Sequence, residues 1–257
     1  MIRKTLILIF ITLVGTLLIR ISDANAQYYR KKPTGRINLI PASTALTNNQ
    51  TYSDHESVLI ILDASYSMSD KVNGERKIDI AKRVINEVLG QLSTNVWVGL
   101  RIYGHKTDFL GLKACRASEL KVPIQPNSQQ IIRNILSSIQ PVGWTPITYS
   151  IQQAVNYDFA GISGKKRIIL VSDGMETCDN SPCEYVVELV KNRVDLKIDV
   201  IGFDLSDEAA LSQLRCTALA TKGKFYSARN ANDLTNSLIN SLNISKDVQG
   251  TIIYKNK

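Results

Sequence analysis

Five aliphatic residues in a row, Val58-Leu59-Ile60-Ile61-Leu62, leave no polar face, so a strand formed there must be covered on both sides. A sheet with one wet face would instead alternate. The covering elements lie further along the chain. Ile78, Ala81, Val84, Ile85, Val88 and Leu89 recur at helical spacing and make one amphipathic helix. The same alternation continues towards the C-terminus. Residues 96–103, 120–124, 167–171, 196–203 and 224–227 read as strands. Residues 128–139, 147–157, 184–193, 207–221 and 231–242 read as helices. Pro123 inside its run marks an edge strand. Strands alternating with helices imply crossover units and a mostly parallel, doubly wound α/β sheet. No internal repeat is visible.

The N-terminal stretch stands outside this scheme. Arg3 and Lys4 precede an apolar run over residues 6–19, and Ala24-Asn25-Ala26 forms a small-x-small site. Residues 1–26 therefore read as a secretory signal peptide, with an uncleaved anchor as the alternative because Arg20 interrupts the pattern. The run is too short for a spanning helix, so no transmembrane span is expected after cleavage. The chain is expected to be exported, whether periplasmic, secreted or at the cell surface. Residues 27–55 form a polar, basic N-terminal arm, 56–243 the folded domain, and 244–257 a tail. In the tail, residues 248–254 have the composition of an extra strand that would pair with residues 36–40.

With 44% apolar and 21% charged residues, the composition excludes low-complexity disorder, a collagen repeat and a multi-span membrane protein. The net charge of +8 permits an anionic partner without requiring one. Nucleic acid is not expected, since no aromatic–basic interleaving appears and export removes the opportunity.

Cys115, Cys178, Cys183 and Cys216 all lie in the exported part, which predicts two disulfides. Three connectivities are open. The short spacing favours Cys178–Cys183, which leaves Cys115–Cys216. A zinc site is the competing reading, but neither His55 nor His105 lies near a cysteine pair.

Three short clusters carry the chemistry. Asp63-Ala64-Ser65-Tyr66-Ser67 has the form D-x-S-x-S directly after the first buried strand, and in an extended segment its carboxylate and two hydroxyls share a side. Gly143-Trp144-Thr145-Pro146 precedes a helix, and Ser172-Asp173-Gly174 follows another buried strand. All three fall where doubly wound sheets bind ligands. Singly, each would more often cap a helix or shape a turn.

Together and in this order, they resemble the von Willebrand factor A (vWA) domain with its metal-ion-dependent adhesion site (MIDAS). The strings RIYGH, PVGWTPI, LVSDGMETC and VIGFD are similar to exported bacterial proteins of that type. The resemblance implies a Rossmann-like fold with a six-stranded, mostly parallel sheet and one short antiparallel edge strand. It implies that Ser65 and Ser67 ligate a divalent cation directly and that Thr145 does so directly or through water. Asp63 and Asp173 would bind it directly or through water, side by side where the strand order reverses. Mg2+ suits such an oxygen-only site, with Mn2+ or Ca2+ as alternatives. A protein partner's Asp or Glu carboxylate would complete the coordination.

Around this set, Trp144, His105 and Tyr66 are expected at the ligand rim, with a hydrogen bond to a loop as the other reading for His105 and packing as the other for Trp144. Glu176 would line the site or cap a loop. The run Lys165-Lys166-Arg167 reads as a solvated loop far from the metal. A binding module, not an enzyme, is the reading; the alternatives are an envelope scaffold with a structural metal and a serine- or metal-dependent hydrolase. The last lacks a G-x-S-x-G elbow or H-E-x-x-H motif.

Overall fold

The computed structural model of the chain describes residues 55–107, 113–178, 181–192 and 195–244. The expected signal peptide, nearly all of the expected N-terminal arm and the expected tail strand lie outside them. Strand β1 (Glu56–Asp63) carries the aliphatic run, and every one of its residues after Glu56 is buried. A two-residue hairpin, β2 (Lys71–Val72) and β3 (Glu75–Arg76), then leads into helix α1 (Lys77–Leu89). Its turn is Asn73-Gly74, both with positive φ, the pairing favoured by tight hairpins. Its strands are too short for apolar periodicity to reveal.

The remaining strands are β4 (Val96–Tyr103), β5 (Ser118–Gln125), β6 (Lys165–Ser172), β7 (Lys197–Phe203) and β8 (Phe225–Ala228). The helices that connect or follow them are α2 (Gln129–Ser138), α3 (Ile147–Gln153), α4 (Pro182–Lys191), α5 (Glu208–Ala220) and α6 (Ala231–Ser241). The main sheet has the order β5-β4-β1-β6-β7-β8. All its pairs are parallel except β4–β5. The antiparallel edge strand is thus present, though eight residues long rather than short. Its register slips twice against β4 between Val98 and Arg101, opposite the segment holding Pro123, whose missing N–H breaks the ladder.

Alternation along β1 divides the core. Val58, Ile60 and Leu62 meet Ile85 of α1, Leu136 of α2 and Leu238 of α6 in one apolar cluster. Leu59 and Ile61 join Ile151 of α3, Val186 of α4 and Leu214 of α5 in the other. A strand buried on both faces needs both layers, as the polar-free run demanded.

Parallel register places the chemistry. Leu62 of β1 lies opposite Val171 of β6 and Ile102 of β4, so Asp63, Ser172 and Tyr103 emerge together at one edge of the sheet. Order reverses here: β1 is flanked by β4 on one side and β6 on the other.

Candidate functional site

Asp63 ends β1 with no exposure to solvent, and three neutral donors hold its carboxylate. The Ser65 backbone N–H donates to Oδ1 at 2.7 Å. Tyr103 Oη and Ser172 Oγ donate to Oδ2 at 2.8 and 2.7 Å. Tyr103 is fully buried, so the tyrosine of RIYGH fixes the carboxylate and faces no ligand. Burial, reinforced by the negative charge of Asp173, pushes the Asp63 carboxyl up to about 6.

After Asp63 the chain leaves the strand and turns. Ser65 is extended, and Tyr66–Ser69 form one 3₁₀ turn. The two serine hydroxyls meet through this turn and not through strand alternation, with Ser65 Oγ 3.1 Å from Ser67 Oγ. Ser67 Oγ donates to Asp173 Oδ1 at 2.7 Å, across 106 residues of sequence. Met68, on the other side of the turn, is buried in the core.

The turn sits on a glycine platform. Gly104 has φ +72°, and a Cβ there would lie 2.6 Å from the Ser65 nitrogen. Its carbonyl accepts from Gly143 N–H at 2.6 Å, and the Gly143 carbonyl accepts from Tyr66 N–H at 2.9 Å. These contacts bring the Gly143-to-Pro146 segment against the serines. Thr145 is buried, and its N–H donates to Thr177 Oγ1 at 2.9 Å. Ser65, Ser67, Thr145 and Thr177 line one cavity of about 370 Å3, with Tyr66 and Trp144 on its wall. Tyr66 is 72% exposed and Trp144 50%.

Glu176 lies elsewhere. Its buried carboxylate accepts from Thr148 N–H at the start of α3 and from Cys178 N–H, at 2.7 and 2.9 Å, so it caps a helix and a loop. Burial raises its pKa against those bonds.

A profile of the von Willebrand factor type A domain matches residues 57–240. The chain belongs to that family. YwmD of Bacillus subtilis, an uncharacterized protein, is 32% identical over 181 residues, 69% of this chain and 80% of YwmD. Among solved structures, the SpaC pilus adhesin of Lactobacillus rhamnosus GG superposes with a TM-score of 0.58 at 16% identity, over 74% of this chain and 30% of SpaC. Proximal thread matrix protein 1 from the mussel byssus, solved with a zinc-occupied MIDAS motif, gives 0.57 at 16% identity, over 73% and 45%. At such identity these two likenesses speak for the fold. As a class, vWA domains are interaction modules that mediate protein–protein contacts. No helix among the described residues is long and apolar enough to cross a membrane.

Within the vWA domain several expectations need correction. His105 does not line the cavity with Tyr66 and Trp144. Its side chain is buried, and Nε2 lies 2.8 Å from Glu119 Oε2 on β5; burial lowers its pKa. Lys165-Lys166-Arg167 is the start of β6 and not a loop, and Arg167 pairs with Glu56 and Asp199.

The disulfides are Cys115–Cys178 and Cys183–Cys216, each with Cα atoms 5.4 Å apart. Pro182 opens α4, which puts Cys183 in a first turn facing α5 and so within reach of Cys216. Cys178 is left to meet Cys115 in the Ala114–Arg116 turn between β4 and β5. Close spacing misleads here because the helix start separates two cysteines that are near in sequence.

One residue at the site has no place among the sequence-based expectations. Lys77, the first residue of α1, donates from Nζ to Asp173 Oδ2 at 3.1 Å and lies 3.2 Å from Asp204 Oδ2. Burial opposes its charge, but the two carboxylates outweigh burial and its pKa is raised. Asn73-Gly74 is the available signal, since a hairpin there returns the chain to the sheet edge just before Lys77.

Proposed function

We propose that this vWA domain is an exported, divalent-cation-dependent protein-interaction module. In this reading Ser65 and Ser67 hold a cation through their hydroxyls, Thr145 adds a third oxygen, and Asp63 and Asp173 orient those groups and balance charge. Mg2+ fits best, with Mn2+ or Ca2+ as alternatives. When bound, the ion supplies a Lewis-acidic position at which a protein partner's Asp or Glu carboxylate can dock. Tyr66 and Trp144 then offer exposed aromatic surface to the flanks of that acidic residue.

The spacing of oxygens carries this reading. Neighbouring ligands of an octahedral ion at about 2.1 Å are about 3.0 Å apart. Ser65 Oγ and Ser67 Oγ are separated by 3.1 Å, and Asp173 Oδ1 holds Ser67 Oγ in place by a hydrogen bond of 2.7 Å. Among the described residues no group of three or more His, Cys, Asp or Glu is placed to hold a metal ion, so this reading depends on the hydroxyls as ligands, an oxygen set that suits a hard cation. Neutral hydroxyls leave much of the ion's charge free to attract an acidic group. His105, the base a serine hydrolase would need, is not among the residues that line the cavity with Ser65 and Ser67.

Calorimetric titration of EDTA-stripped protein with MgCl2 and MnCl2, followed by pull-down from envelope extract with and without EDTA, tests the proposal. Binding of either ion and chelator-sensitive capture are expected. Undiminished capture by a Ser65→Ala, Ser67→Ala double variant would overturn it.

A further inference from the structure

We propose that Lys77 is the internal counter-ion of this site. It yields Asp173 to an incoming divalent cation, keeps Asp204, and so sets how tightly the ion is held. This rests on the cation-binding function proposed for the domain.

The placement of Lys77 is unusual on three counts. It is only 7% exposed, although its ammonium must remain solvated or paired. It opens a helix, the end where a cation is disfavoured by the macrodipole. Its two acceptors come from different strand ends, Asp173 after β6 and Asp204 after β7. Helix propensity and packing explain none of these.

The Asp173 carboxylate is divided between two claims. Oδ1 faces the hydroxyl cluster through Ser67, and Oδ2 faces the ammonium. A dication among the serines would place two like charges on one carboxylate, which is unfavourable at such range. Lys77 needs no new partner to relieve this, because Asp204 Oδ2 already lies within ion-pair distance. The Asp204 side chain is 42% exposed, so water can adjust around it. Its backbone is held at φ 51°, with its N–H bonded to the Ala228 carbonyl at 2.7 Å. The left-handed conformation tolerates Asn as readily as Asp, so the carboxylate can be neutralised there without straining the chain.

The test is Mn2+ titration by calorimetry on the EDTA-stripped full chain, with circular dichroism as the check on folding. Lys77→Met removes the competing charge and should tighten Mn2+ at least tenfold. Asp204→Asn leaves the ammonium with Asp173 alone and should weaken Mn2+ at least threefold. In the double variant Asp204→Asn should have no further effect, so its affinity should match that of Lys77→Met within twofold. Independent field effects would add instead, and an Asp204→Asn loss that persists without Lys77 overturns the proposal. So does unchanged or weaker binding in a folded Lys77→Met protein. If Lys77→Met does not fold, Asp204→Asn decides by itself: unchanged or tighter binding overturns the idea. Failure of the folded wild type to bind Mn2+ would remove the cation reading itself and this inference with it. Normal wild-type binding with no separation among the variants would remove only the inference.

Discussion

Both edges of the sheet hold carboxylates and their partners, Glu56 and Asp199 at one and Asp63 and Asp173 at the other, and the two ends treat charge differently. At the N-terminal edge, Arg167 donates to Glu56 at 2.7 Å, to Asp199 at 3.0 Å and to the Ser241 carbonyl at 2.6 Å. Asp199 also accepts from Ser241 Oγ and the Lys224 N–H, so both its oxygens are used. That network is closed. At the C-terminal edge, Asp63 is met by neutral donors and Asp173 shares its cation with Asp204, and burial raises the pKa of both Asp63 and Asp173. A closed network fixes a fold, whereas an open one with surplus negative charge leaves a position for something positive.

The contrast is sharpest in substitution. Arg167→Met strands two carboxylates at the closed end and should cost roughly 3–5 kcal/mol of unfolding free energy, read by denaturant titration and unaffected by Mg2+. A loss that Mg2+ restores would erase the distinction between the two ends. At the open end, Asp63→Asn should stabilise the EDTA-treated protein at pH 7 by about 1–3 kcal/mol, because burying the ionised form carries a cost that the amide avoids. The same variant should lose any rise in melting temperature on adding Mg2+. Destabilisation without metal would mean the open end is built for stability after all.

Acidity gives a smaller test with a definite sign. Asp63 titrates at about 6 in the fold against 3.8 for an unperturbed group. Its stabilising contribution is therefore complete below about 4 and is lost as pH rises through 6. Asp173 and Glu176 are shifted in the same direction. Glu119 is held at about 2, chiefly by the hydrogen bond from Lys121, so it does not titrate in this window. His105, whose pKa burial lowers, contributes with the opposite sign, so the test is a difference: in EDTA the stability of wild type relative to Asp63→Asn should be higher at pH 5 than at pH 7.5, and Mn2+ affinity should fall as the pH is lowered over that range. Least of all, Tyr66→Ala should change stability by no more than about 0.5 kcal/mol, since the ring is exposed. Its effect should appear in partner capture alone.

Much of this was legible in the sequence because it is local. Polar-free strands and helical stripes announce themselves by period, and D-x-S-x-S and S-D-G fall at strand ends that the period already marks. What escapes a linear reading depends on pairing across the sheet. Arg167 resembles part of a basic loop because its acceptors lie in β1 and β7. Lys77 opens a helix whose apolar stripe attracts all the attention, while its acceptor Asp173 is 96 residues away. The cysteines mislead for the same reason. Distance along the chain is a poor guide once a helix start turns neighbours apart.

The donors that hold Asp63 arrive from both sides of β1, Tyr103 from β4 and Ser172 from β6, 40 and 109 residues downstream. A growing chain that has reached β4 has gathered only part of that set, and its central carboxylate stays incompletely matched until β6 docks. Closing so long a loop belongs to the slow, non-local stage of assembly. The carboxylate at the centre of the sheet therefore acquires its full set of donors only when the two halves of the sheet have joined.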